Sequence, residues 1–194
     1  NCLLARVNAK TLRMLIISSA FIASLAGSPI AKAQDSKKAE AKAANRTGPK
    51  GPITTKWNVA YREVDGKKVK ADVYYPKGEG PYPIVVMVHG GAWALGDKLD
   101  LIMHGRELAN AGFVAVSVNY RLAPKHKIQD QLEDCRAAVK WALTNAGDWS
   151  GDKSRVALWG YSAGGHLVSL LALDRQKGDP VYKAVAAGGA PCEF

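Results

Sequence analysis

Near the C-terminal end of the chain an apolar strand-length run, Arg155 to Trp159, leads without a linker into Gly160-Tyr161-Ser162-Ala163-Gly164 and then into a strongly apolar stretch from Ser162 to Leu173. Few folds accommodate that succession. The first run predicts a buried strand and the last a helix pressed against a sheet, with a turn of one or two residues between them. Only a sharp, strained turn makes that junction, and it thrusts the serine hydroxyl clear of the sheet. The residues two before and two after the serine then pass so close to neighbouring backbone that only glycine fits, which accounts for Gly160 and Gly164. The opening turn of the helix adds its positive dipole end beneath the serine.

The segments upstream repeat the same alternation. Ile84 to Val88 and Phe113 to Val118 are continuous apolar runs, as in strands buried on both faces. Residues 99–110 predict a helix ended by Gly112. Residues 129–144 predict another, with Leu132, Cys135, Val139 and Ala142 on one face. Ala184 to Gly188 is a further strand. Thr54–Tyr61 and Lys68–Tyr75 flank Asp65-Gly66, a hairpin signal. The expected fold is therefore α/β: a three-layer sandwich around a mostly parallel sheet, with an antiparallel hairpin at its N-terminal edge.

A second glycine-rich segment, His89-Gly90-Gly91-Ala92-Trp93, follows the strand ending at Val88. Such a loop can turn several N–H groups toward one point. An acyl-transfer intermediate carries an oxyanion that needs two or three donors of this kind. Gly91 and Ala92 are the expected donors, Gly90 shapes the turn, and Ala163, just after the serine, supplies the other N–H. Ser162 is the candidate nucleophile.

These motifs stand in order with Gly96-Asp97-Lys98, Asn119-Tyr120-Arg121-Leu122-Ala123-Pro124, Gln131-Leu132-Glu133-Asp134 and the His166 that follows Gly165. Together they resemble α/β-hydrolases of the hormone-sensitive-lipase and carboxylesterase-like group, with bacterial esterase-lipase and feruloyl-esterase-like members nearest. The resemblance runs over roughly residues 55–194. Ala92 departs from it, because many members carry a third glycine there; an alanine keeps the N–H. The resemblance implies hydrolysis of small-molecule carboxylic esters through an acyl-enzyme on Ser162, with no cofactor. It also implies that the Asn-Tyr-Arg-Leu-Ala-Pro segment is a brace, Arg121 and Asp134 are scaffold, and Asp97 ties down the oxyanion loop. A peptidase or arylformamidase-type amidase of the same fold is the alternative chemistry, and a non-catalytic binding protein the alternative class.

A serine nucleophile needs a base, and the base an orienting acid. The chain has four histidines: His89, His104 and His126 precede the serine, and His166 lies one turn along its helix. None suits the base. Asp174, Asp179 and Glu193 are equally misplaced for the acid. The family order, serine then acid then histidine, implies an acid and a base beyond Phe194. The expected organisation is thus the N-terminal part of a hydrolase domain over 54–194, preceded by a leader over 1–33 and an Ala/Lys-rich flexible linker over 34–53. The leader rests on the apolar run after Met14, with Lys10 and Arg13 before it and Ala31-Lys32-Ala33 after it. Cleavage is expected between Ala33 and Gln34, hence export to the periplasm or medium, with an uncleaved anchor as the alternative.

The formal net charge of +10 suggests nucleic acid until it is located. Residues 1–56 hold ten Lys/Arg against two Asp/Glu, and residues 57–194 seventeen against fifteen. The excess lies in the tail and not on the expected fold, so no nucleic-acid partner is expected, nor any stable membrane association once the leader is gone. No Cys/His grouping has metal-ligand spacing, so no metal site is expected. Cys135 reads as a buried thiol, leaving open a pairing with Cys192. The pattern does not address the oligomeric state.

Overall fold

The computed structural model describes residues 52–191. The expected leader, nearly all of the linker, Cys192 and Glu193 lie outside them. Within the described residues six strands form one sheet in the order β1-β2-β4-β3-β5-β6: β1 (Ile53–Val64), β2 (Lys67–Pro76), β3 (Tyr82–Val88), β4 (Val114–Val118), β5 (Gly151–Tyr161) and β6 (Ala184–Gly188). β1 pairs with β2 and β2 with β4 antiparallel, while β3 pairs parallel with both β4 and β5, and β5 with β6. The mixed sheet with an antiparallel edge hairpin is the expected one. At the hairpin tip Asp65 (φ 49°) and Gly66 (φ 69°) are both left-handed, the geometry that a tight two-residue turn between twisted strands demands.

Among the described residues three α-helices cover the sheet: α1 (Ile102–Asn110), α2 (Ile128–Thr144) and α3 (Ala163–Leu173). The period of two along the central strands divides the core. Ile84, Val86 and Val88 of β3 join Val114, Val116 and Val118 of β4 in a cluster with Cys135, Val139, Leu167 and Leu171 of α2 and α3. Val85, Met87 and Ala115 face the opposite side, with Tyr74 and with Ala109 of α1. Each strand residue thus buries against one helical layer or the other, which is why these runs carry no polar alternation. Burying a Val or Leu side chain contributes about 1.5–3 kcal/mol, so the two layers supply most of what holds the sheet.

The boundaries shift slightly from expectation. The helix expected over 99–110 begins as a 3-10 turn, Lys98–Leu101, with Asp97 capping it: Leu99 N donates to Asp97 Oδ1 at 2.9 Å. β5 starts at Gly151, four residues before its apolar run, because Lys153 and Ser154 occupy its exposed beginning. Cys135 is fully buried, and burial pushes its thiol above the ordinary value.

Candidate active site

β5 and α3 meet at Ser162, which has φ 53° and ψ −123°. An L-residue in such a conformation costs about 1–3 kcal/mol and persists only where its surroundings impose it. They do so from several directions. Ser162 N donates to Gly188 O at 2.8 Å, tying the turn to the end of β6. A Cβ on Gly160 would overlap the Gly164 carbonyl, and one on Gly164 the carbonyls of Val88 and His89. The close packing expected of these two glycines is therefore present, and it joins the turn to the end of β3. Ser162 stands just before the first helical residue, Ala163, at the positive end of α3.

The glycine-rich loop lies beside this turn. A Cβ on Gly90 would stand 2.9 Å from Tyr161 O and 3.3 Å from Ser162 Cβ. Three successive residues of the loop are left-handed: Gly91 (φ 112°), Ala92 (φ 48°) and Trp93 (φ 60°). Ala94 N and Leu95 N both donate to Gly91 O, at 3.1 and 2.9 Å. Among the hydrogen bonds of the described residues, none uses the N–H of Gly91, Ala92 or Ala163. The structure thus brings Gly90 against the serine turn, with Gly91 and Ala92 next to it in the same loop.

Beneath the loop, His89 is buried and stacks on Tyr120 with ring centroids 4.4 Å apart. Its Nδ1 lies 2.7 Å from Gly90 O, and Tyr120 Oη donates to His89 O at 3.1 Å. Burial lowers the His89 pKa, so the neutral ring is favoured, and the carbonyl contact makes Nδ1 the protonated nitrogen. Asp97 accepts from Asn119 Nδ2 at 2.8 Å, and Lys98 N donates to Asn119 Oδ1 at 2.6 Å. Asp97 therefore does tie the loop's far end, to β4's exit. Burial raises its carboxyl pKa, but the hydrogen bonds from Leu99 and Asn119 outweigh it and hold the group below the usual carboxylate range.

Arg121 and Asp134 form the brace expected of them. Arg121 Nε donates to Asp134 Oδ2 at 2.8 Å, and Arg62 of β1 donates to Asp134 Oδ1 at 2.8 Å. Lys98 and Gln131 stand in the motifs above, but their roles escaped the sequence reading. Lys98 is buried and its Nζ lies 3.0 Å from Asp72 Oδ2, itself fully buried on β2. Gln131, also buried, donates from Nε2 to Trp93 O at 2.9 Å. An apolar flank would have revealed Asp72, which sits among Val69, Ala71, Val73 and Tyr74; Gln131 had no such signal beyond its place on the helix's inner face.

The histidines lie against other groups. His104 of α1 packs on Trp159 at 4.9 Å, His126 lies 3.9 Å from Asp130, and His166 meets the Trp93 ring edge-on at 5.5 Å. Among the described residues no imidazole hydrogen-bonds the Ser162 hydroxyl. Asp174 ends α3, and Asp179 is held by Arg136 Nε at 3.0 Å, so neither stands at the serine. No group of three or more His, Cys, Asp or Glu able to hold a metal occurs among the described residues, and none of their helices is long and apolar enough to cross a membrane.

The BD-FAE family model matches residues 71–184. Carboxylesterase NlhH of Mycobacterium tuberculosis is 42% identical over 101 residues, which are 50% of this chain and 31% of that protein. An arylesterase of Saccharolobus solfataricus is 41% identical over 108 residues, 54% of this chain and 35% of its own length. Among solved structures, a hyperthermophilic esterase from the archaeon Pyrobaculum calidifontis superposes with a TM-score of 0.62 at 32% identity, covering 80% of this chain and 50% of that one. The chain thus spans about half the length of that structure and a smaller share of the two sequence relatives.

Proposed function

The chain belongs to the BD-FAE family of the α/β-hydrolase fold, and from that premise we propose that the protein it represents hydrolyses carboxylic esters through an acyl-enzyme on Ser162. One observation carries the reading: a serine at φ 53° placed between an exposed strand end and a helix N-terminus, with Gly90 packed against it at the head of three left-handed residues. Strain of this kind, maintained at one point by surrounding glycines, has no use in a plain strand-to-helix turn.

Ser162 Oγ attacks the acyl carbon, its proton passing to a base. The carbonyl oxygen becomes an oxyanion received by the N–H groups of Gly91, Ala92 and Ala163, which no hydrogen bond of the described residues occupies. Collapse passes that proton from the base to the departing alcohol and leaves the acyl group as an ester on Ser162. Water then attacks that ester, and the acid departs. Preorganised donors of this sort contribute about 2.7–4 kcal/mol each to the transition state. The relatives' names, carboxylesterase and arylesterase, support a small-molecule ester as substrate.

The test is turnover of p-nitrophenyl acetate by the complete gene product, together with an organophosphonate that labels only an activated serine. Turnover should fall at least about a thousandfold in Ser162→Ala, and mass mapping should place the adduct on the peptide containing Ser162. An adduct on another serine would overturn the assignment. Export is proposed on the leader pattern alone: intact-mass measurement of the mature protein should show Gln34 as its first residue, and recovery of an uncleaved cytosolic form would refute it.

A further inference from the structure

We propose that Gln131 is a positioning residue for the oxyanion loop, acting through the carbonyl of Trp93 to aim the N–H of Ala92. The inference rests on the reading of Ser162 as nucleophile and adds a role for a motif residue to which the sequence assigned none.

Two peptide planes carry the orientation. Gln131 Nε2 and Ala123 N both donate to Trp93 O, each at 2.9 Å. A peptide unit is planar, so a fixed carbonyl fixes the N–H on the other side of the same bond. For Trp93 O that N–H belongs to Ala94, and it donates to Gly91 O at 3.1 Å. Gly91 O is thereby fixed in turn, with Leu95 N as its second donor at 2.9 Å. The N–H across the Gly91 carbonyl's plane is that of Ala92, the proposed oxyanion donor. Orientation thus passes from the amide of Gln131 to Trp93 O, to Ala94 N–H, to Gly91 O, and so to Ala92 N–H.

The loop needs such a fastening. Ala92 at φ 48° and Trp93 at φ 60° carry Cβ atoms in a backbone region that residues other than glycine leave when free to do so. Gln131 is a suitable anchor because its own position is over-determined. It lies on the first turn of α2, 1% exposed, between Asp130 and Asp134, and both of those side chains hold Arg121. Packing alone does not explain a glutamine there. Among the described residues no protein donor reaches its Oε1, and an apolar side chain of equal size would fill the site without that buried acceptor. The amide is used at its donor end, on the loop.

Gln131→Met and Gln131→Leu, in the complete gene product, keep the volume and delete the donor. The expected result is a melting temperature within a few degrees of the parent, because Trp93 O keeps Ala123 N. kcat for p-nitrophenyl acetate should fall about 10–100-fold, a part of what losing an oxyanion donor costs, with KM within about twofold, since ground-state binding does not use the oxyanion donors. Residue-resolved amide exchange should show Ala94 opening at least about tenfold faster, while Val86 in the middle of β3 stays unchanged. Unchanged Ala94 exchange in a folded variant would overturn the proposal, as would unchanged kcat in an active enzyme, or a loss of kcat matched by a rise in KM and a collapse of melting temperature in both variants. Should the parent show no ester turnover at all, the reading of Ser162 fails, and Ala94 exchange still decides whether Gln131 positions the loop.

Discussion

Glycine at the serine turn is required by contact, not by flexibility. Gly164 has no left-handed φ; it is the Val88 and His89 carbonyls that leave no room for a Cβ. Gly164→Ala should accordingly cost about 3 kcal/mol or more, since backbone atoms and not a flexible side chain must give way. Gly147, in the 3-10 turn before β5, has nothing within 4 Å of a Cβ, and Gly147→Ala should be neutral or slightly stabilising. Chemical denaturation of the pair measures the contrast, and equal costs would mean that the close approach at Gly164 is not a constraint. The difference marks what was legible at this scale. Gly160, Ser162 and Gly164 announced themselves because close approach leaves only glycine as a solution. Ala92 and Trp93 did not, because nothing in an alanine or a tryptophan signals φ values of 48° and 60°; tertiary hydrogen bonds impose them. The same angle makes Ala92→Pro unsuitable for removing the N–H, since proline is confined to φ near −65° and would break the turn as well.

Elements were legible wherever burial on both faces or a turn residue wrote a pattern, as in β3, β4 and the Asp65-Gly66 hairpin. What ties the elements together was not. Lys98 reads in the sequence as one more charge beside Asp97, yet it is buried with Asp72 and joins the entry of α1 to β2. Asp72 Oδ1 also accepts from Asn58 N at 2.7 Å, at the left-handed residue where β1 shifts register against β2. A single carboxylate thus serves a helix entry and a strand irregularity, a pairing that only the folded chain creates. Removing one member of a buried ion pair strands the other, at about 3–5 kcal/mol, whereas replacing both by apolar residues is often close to neutral. Lys98→Met should therefore destabilise strongly, and Asp72→Leu combined with Lys98→Met should recover a good part of the loss, less the hydrogen bond to Asn58. A double-mutant cycle by urea denaturation gives the coupling, and strict additivity of the two changes would show that the pair is not energetically linked.

For the whole molecule, the four histidines are placed for structure, and this has a consequence in acid. Burial lowers the pKa of His89 and of His166 from the ordinary 6.5. In the window just below 6.5 the unfolded chain therefore takes up protons that the folded chain refuses. The stability contributed by the neutral rings is present above 6.5 and is lost as pH falls toward the lowered values. The urea midpoint should accordingly drop between about pH 7.5 and 5.5, and His89→Asn, which keeps a donor toward Gly90 O, should flatten part of that slope; a midpoint constant across the window would contradict it. The histidines matter to activity for the same reason. His89 is committed to Gly90 and Tyr120, His104 to Trp159, His126 lies near Asp130 and His166 packs on Trp93. None of these rings hydrogen-bonds the Ser162 hydroxyl among the described residues. The serine turn and the glycine-rich loop are thus assembled by β3, β5 and α3 with no imidazole of the described residues hydrogen-bonded to the serine. A serine without a base loses most of its activation, although binding and the oxyanion donors alone retain some rate. In the proposed reading the histidines serve structure, so His104→Gln, His126→Gln and His166→Gln should each leave the organophosphonate labelling rate of the complete gene product within about tenfold of the parent's, where loss of the base would cost about a thousandfold or more. A loss of about a thousandfold in any one of them, in a folded variant, would mean that its imidazole is the base and does more than hold the fold.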